Sequence, residues 1–181
     1  MSSLKPLSLL AQFYISILRG TPLMLQLMAF MFGPYYLLGM NMGTDWKFGA
    51  CAVGFILNYS AYFAEIYRSG IQSIPKGQYE AALVLGYSCS QTFFKIVLPQ
   101  VIKRILPAMG NEIITLVKDT SLARIIALQE IIWAGQAFMK GSQGISGAIW
   151  PLFFTAVYYL IFNGVLTVLL GRLEKKLDYF R

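Results

Sequence analysis

Three stretches of this chain are apolar and long enough to cross a bilayer, at about 22–40, 46–68 and 147–171. A bilayer-spanning helix needs roughly 20 such residues, so this pattern constrains the fold more than any other feature. A fourth stretch, about 104–121, is weaker because it holds Glu112, Lys118 and Asp119. Between the second and fourth lies a polar, turn-punctuated segment at about 71–103. The expected fold is an all-α polytopic membrane protein with about four transmembrane helices, forming a single transmembrane domain over residues 1–181.

Composition agrees. The chain is 57% hydrophobic and only 13% charged, with a mean hydropathy of +0.60. Soluble domains carry about 25% charged residues. A net charge of +7 raises nucleic acid as a partner. The basic residues are scattered between apolar spans rather than packed into a stripe, so no nucleic acid is expected. They instead orient the chain. With the 71–103 loop inside, Lys5, Arg19, Arg68, Lys76, Lys95, Lys103, Arg104, Arg172, Lys175, Lys176 and Arg181 are cytoplasmic or at that boundary, which is eleven. Lys47, Lys118, Arg124 and Lys140 fall on or toward the outside, which is four. This is the positive-inside arrangement, and it predicts a cytoplasmic C-terminus.

Local signals divide the spans. Residues 5–19 are apolar but short and read as an amphipathic or interfacial lead-in helix ending at Arg19-Gly20-Thr21-Pro22. Pro22 suits the first turn of the next helix, where its missing N–H costs nothing. Pro34 should kink that helix. Asn41 to Asp45 and Gly141 to Gly147 read as turns. No cleavable signal peptide is expected after the single early lysine of Met1 to Leu18.

The loop has its own order. Pro75 and Gly77 punctuate the chain after the second span. Gln78 to Leu85 is a short helix former, with Gly86 as its C-cap. Ser88 or Ser90 is placed to N-cap a second short helix, Gln91 to Val97, which Pro99 is expected to stop. Ala81 and Ala82 are small and let another surface approach closely, as when a short helix lies in a partner's groove. The plainer alternative is an amphipathic connector at the membrane surface.

Polar residues inside spans are costly and often functional. Asn58, Tyr62 and Glu65 share one helix face, and Glu112, Thr115 and Asp119 share another. The two stripes could line a water-filled cavity. There a carboxylate could take a substrate ammonium, while Ser, Thr and backbone donors take its carboxylate. Each has a bland alternative. Glu65 can pair with Arg68 one turn on, Lys118 and Asp119 can form a solvated cap, and Asn58 or Glu112 can bridge helices. The aromatics, such as Trp46, Trp133 and Trp150, are mostly interfacial belt or core.

The sequence also excludes chemistry. It has no G-x-x-x-x-G-K-[ST] phosphate loop, hence no ATP site. It has no histidine, which excludes serine–histidine catalysis, and no Cys pair at zinc-ligand spacing. Cys51 and Cys89 are not expected to form a disulfide. No metal or cofactor is expected, and the chain is not expected to be an enzyme.

The loop motif itself is Glu80-Ala81-Ala82, three residues, Gly86, nine residues, then Ile96-Val97-Leu98-Pro99. It resembles the cytoplasmic coupling loop of permease subunits in ABC-type importers. Arg19-Gly20-Thr21-Pro22-Leu23, the run Asn58 to Gln78, Gly110-Asn111-Glu112 and Lys118 to Leu122 are similar to the polar amino acid branch of that family. The resemblance covers about residues 12–175. It implies a type I importer fold with coupling helices contacted through Glu80, Ala81, Ala82, Gly86, Ile96, Leu98 and Pro99. It further implies a multi-pass protein of a prokaryotic cytoplasmic (inner) membrane. The implied partners are separate ABC ATPase subunits that bind the ATP, a second permease subunit, like or unlike, an extracytoplasmic solute-binding protein, and an amino acid as substrate. The family's core begins with a further transmembrane helix before the RGTP segment. Only about eighteen residues precede Arg19 here, so that helix is expected to be absent or reduced to the lead-in. The alternatives are an importer permease for another small solute, such as an opine, and a non-transporting assembly or regulatory subunit.

Overall fold

The computed structural model describes residues 5–40, 43, 45–139 and 149–177. The predicted turn at Gly141 to Gly147, most of the turn at Asn41 to Asp45, and the last four residues, whose cytoplasmic side was predicted, lie outside the described residues.

Eight α-helices occur in the order α1 (Lys5–Gly20), α2 (Leu23–Leu38), α3 (Trp46–Gln72), α4 (Lys76–Val84), the single turn α5 (Cys89–Gln91), α6 (Leu98–Asp119), α7 (Ile131–Met139) and α8 (Ile149–Leu177), counted among the described residues. A π-helical turn, Thr92–Val97, joins α5 to α6, and a 3-10 turn, Thr120–Ile126, follows α6. α3 is the organising element and packs against α1, α2 and α6, while α8 packs on α6 and α7. Its 27 residues extend about 40 Å at 1.5 Å each.

Two small cores hold the α3–α6 pair, one toward each end. Leu27, Cys51, Ala123 and Ile126 form the first. Ile74, Val97, Val101 and Ile105 form the second. α3 and α6 run antiparallel and approach closely at the second core. A Cβ on Gly70 would lie 2.2 Å from Ile105 Cγ2, so only glycine admits this crossing. Small residues at such contacts are the usual device of membrane helix pairs.

Among the described residues, α8 alone is both long and apolar enough to cross a membrane, and α1 with α2 passes the same test as one span bent by 106°. α3 and α6, at 27 and 22 residues, have the length but fall short in apolarity. Their deficit is the two polar stripes and the charged ends predicted from sequence.

Three expectations need correction. Pro99 does not stop a helix. The chain runs from Cys89 through the π turn into α6, with Pro99 in the first turn of that helix. The π turn shifts the hydrogen-bond ladder by one residue, with Leu98 N–H donating to the Phe93 carbonyl, so the donor missing at Pro99 falls where the register already changes. α1 is more than a lead-in, because Tyr14 Oη donates to the Leu57 carbonyl at 2.8 Å and pairs with Ser60 Oγ at 2.6 Å, near the middle of α3. Finally, the 3-10 turn and α7 have no counterpart among the predicted spans. Glu130 starts α7 by accepting the backbone N–H of Ile132 at 2.7 Å and of Trp133 at 2.6 Å.

Candidate functional site

The break between α1 and α2 is built by side chains. Gln26 donates through Nε2 to the Leu18 carbonyl at 2.8 Å and to Thr21 Oγ1 at 2.8 Å. Asn58, buried in α3, donates to the same Leu18 carbonyl at 3.2 Å and to Gln26 Oε1 at 3.0 Å. These bonds satisfy backbone groups freed at the break between the two helices, where an unpaired buried carbonyl is costly. Asn58 therefore takes the helix-bridging role that was the bland alternative, while its residue still borders the cavity beside it.

That cavity is a cleft of about 530 Å³ between the Arg19–Leu23 break, α3 and α6. Asn58, Tyr62, Glu112, Thr115 and Asp119 all line it, so the two stripes do meet across one space. A second cavity of about 430 Å³ continues from it, lined by Glu65, Ser69, Ser73 and Arg104, and shares Arg19, Tyr62 and Glu112 with the first. A third, of about 530 Å³, adjoins through Arg104 and reaches Lys95 and Gln78 beside α4. Each falls within the usual range of small-molecule sites, about 300–1,000 Å³.

The polar groups differ in what they already bind. Asp119 accepts the Tyr59 hydroxyl at 2.8 Å through Oδ2, so it is tied to α3 rather than standing as a solvated cap. Thr115 donates to the Asn111 carbonyl at 2.9 Å within its own helix. Glu65 accepts two N–H donors from Arg68, one of them Nε at 2.9 Å, and Arg68 also reaches Gln72 Oε1 at 2.9 Å. Arg104 donates to the Ser73 carbonyl, joining the end of α3 to the start of α6. The stripe pattern omitted three groups that the fold brings in: Arg19, Tyr59 and Arg104. Arg19 lies inside the RGTP motif, which reads from sequence only as a helix opening.

On the loop, α4 ends as predicted at Gly86, whose φ of +77° suits glycine. The Tyr87 N–H returns to the Ala82 carbonyl and the Gly86 N–H to the Leu83 carbonyl, both at 3.0 Å, closing a Schellman cap. Ser88 caps α5 in a reciprocal pair with Gln91. The motif residues divide by face. Ala82 is only 1% exposed and packs inward, while Glu80 and Ala81 face out and the α4 tip carries Leu83, Val84 and Leu85, with Val84 88% exposed. In the second half, Ile96 and Leu98 are half-buried and Pro99 is exposed. The unspecified position between them, Val97, is fully buried among Ile74, Val101 and Ile105.

Residues 1–179 match the family described as binding-protein-dependent transport system inner membrane component. The chain belongs to this family. As such a transport component, it is 38% identical over 176 residues to the arginine transport system permease protein ArtQ of Bacillus subtilis, covering 97% of this chain and 78% of that protein. It is 38% identical over 167 residues to the glutamine transport system permease protein GlnP of Escherichia coli, covering 91% and 73%. A crystal structure of an amino acid ABC transporter with histidines superposes at a TM-score of 0.84 with 34% identity, covering 97% of this chain and 79% of that one. The MetNI methionine ABC transporter, at 17% identity and a TM-score of 0.69, shares the fold. The transport component thus has the all-α type I importer permease fold.

Proposed function

We propose that this chain is the membrane-embedded permease subunit of an ATP-driven importer for polar amino acids. The observation that carries the reading is the meeting of the two polar stripes across one cleft, beside a bent span and between two apolar cores. The cleft and its continuation past Arg104 are the solute path. Glu112 offers a carboxylate for a substrate ammonium, Asp119 adds negative charge to the same wall while holding Tyr59, and Thr115 adds a hydroxyl oxygen. The exposed apolar tip of α4 docks on a separate ATPase subunit. Arg104 and Ser73 lie where α3 passes into α4, so motion of α4 reaches the cleft through that contact. ATP binding by the partners closes their dimer and alternates access of the path, in company with a second permease subunit and an extracytoplasmic binding protein. The relatives' named substrates, arginine and glutamine among them, support the amino acid class.

The test is ATP-dependent uptake into proteoliposomes holding the chain with its ATPase and binding protein, against labelled basic, acidic and neutral amino acids. Uptake of one class, abolished by Ala81→Glu on the outer face of α4, is expected. Stable assembly with the ATPase but no uptake of any amino acid overturns the reading in favour of a non-transporting subunit.

A further inference from the structure

Arg19 stands where the first two cavities join. Together with Tyr62 and Glu112 it lines both. Its guanidinium lies over the Tyr62 ring, with the centroid at 5.3 Å, and 3.9 Å from Glu65 Oε1, and it shares the cavity lining with the Glu112 carboxylate. The second separation exceeds hydrogen-bond reach. Glu65 is already occupied, because both its oxygens accept N–H donors from Arg68.

A basic residue at a helix C-terminus usually serves the free carbonyls there. Here two of those carbonyls have other donors. Thr21 Oγ1 takes the Ile17 carbonyl at 2.8 Å, and Gln26 and Asn58 share the Leu18 carbonyl. Arg19 is therefore a guanidinium over an aromatic face, its side chain 41% exposed, lining both cavities with no hydrogen bond to an acceptor among the described residues. Its fork of N–H donors matches a planar carboxylate better than any other ligand group.

We propose that Arg19 is the receptor for the substrate's free carboxylate, with Glu112 facing the same space as counter-group for its ammonium. The permease would then select zwitterionic α-amino acids over the amines that lack the carboxylate. This assignment rests on the proposed reading of the cleft as the solute path. It differs from the sequence expectation, which gave the carboxylate to Ser, Thr and backbone donors.

The experiment is equilibrium binding to the purified permease–ATPase complex in nanodiscs, without the binding protein, so that the latter's own selectivity does not enter. The probes are labelled L-arginine, L-histidine and L-glutamine, competed by agmatine, histamine and 4-aminobutanamide as their respective decarboxylated counterparts. The wild type should prefer each amino acid it binds over its amine. Arg19→Gln should weaken the amino acid by about 10- to 100-fold while leaving the amine nearly unchanged. Arg19→Lys keeps the charge without the planar fork, and should lose about tenfold for the amino acid alone. It also serves if the glutamine variant fails to co-elute with the ATPase. Equal weakening of amino acid and amine, or no weakening of either, overturns the Arg19 assignment while leaving the path reading intact. Binding of none of the three amino acids by the wild type overturns the amino acid reading and this assignment with it.

Discussion

The Tyr59 hydroxyl donates to Asp119 Oδ2 at 2.8 Å, joining the middle of α3 to the last residue of α6 across one wall of the cleft. An acid placed by sequence at the outer boundary is thus a tie between two helices. Tyr59→Phe removes the donor and leaves Asp119 without this partner, at a cost of about 1–3 kcal/mol. Thermal unfolding in detergent should show the loss, and a cycle with Asp119→Asn should give clear coupling between the two. Additive effects would mean that the bond contributes nothing to stability.

Asn58 and Glu112 line the same cleft but should fail differently. Asn58→Leu removes the donor to buried Gln26 Oε1 and one of the two donors to the Leu18 carbonyl at the α1–α2 break, so folded yield should fall. Glu112→Gln removes a charge facing the cavity with no comparable backbone tie, so the protein should assemble and lose uptake. Size-exclusion profiles set beside uptake rates separate the two, and equal loss of assembly would assign Glu112 to packing.

Gly70 carries the α3–α6 crossing at the second core. Gly70→Ala pushes a methyl into the branched, stiff side chain of Ile105, at about 1–3 kcal/mol of overpacking. Relief by Ile105→Ala in the same chain is the expected signature, read from melting temperatures. A variant as stable as the parent would show that the helices separate freely there.

Adjacent alanines of the loop motif should also part company. Ala82→Glu buries a charge in a packed face and should abolish folding. Ala81→Glu lies on the outer face and should leave the fold intact while uncoupling ATP hydrolysis from uptake. Circular dichroism with coupled ATPase assays decides this, and full coupling in Ala81→Glu would remove the docking role from that face.

Much of this architecture was legible because membrane helices advertise themselves locally. The start of α2 after Pro22, the glycine cap at Gly86 and the serine cap at Ser88 each depend on residues within a few positions. The polar stripes of α3 and α6 were visible as helical spacing, and the fold sets all of their residues but Glu65 on one cavity, with Glu65 on its continuation. Legibility failed where the deciding partner is remote or the local rule is outvoted. Pro99 reads as a stop by local rule, yet the π turn absorbs its missing donor and Val97 anchors the helix into the second core. α7 and the 3-10 turn are short and carry no span signal. Their places come from Glu130 as a cap and from Ala123 and Ile126 packing on α2 and α3.

By itself, the order of residues determined that this chain forms apolar helices, where a polar loop interrupts them, and which helix faces carry polar groups. These follow from hydropathy and from spacing along a 3.6-residue turn, which need no knowledge of neighbours. Only the tertiary structure decided which polar groups are already spent. Asn58 is consumed by a bend 32 residues away in sequence at Gln26 and Asp119 by Tyr59 60 residues away, whereas the Glu65–Arg68 pair, one turn apart, was already offered by the sequence. Arg19 is left facing the cavity. The physical reason is that a hydrogen bond inside the membrane depends on distance in space, and the bent α1–α2 span and the Gly70 crossing set those distances.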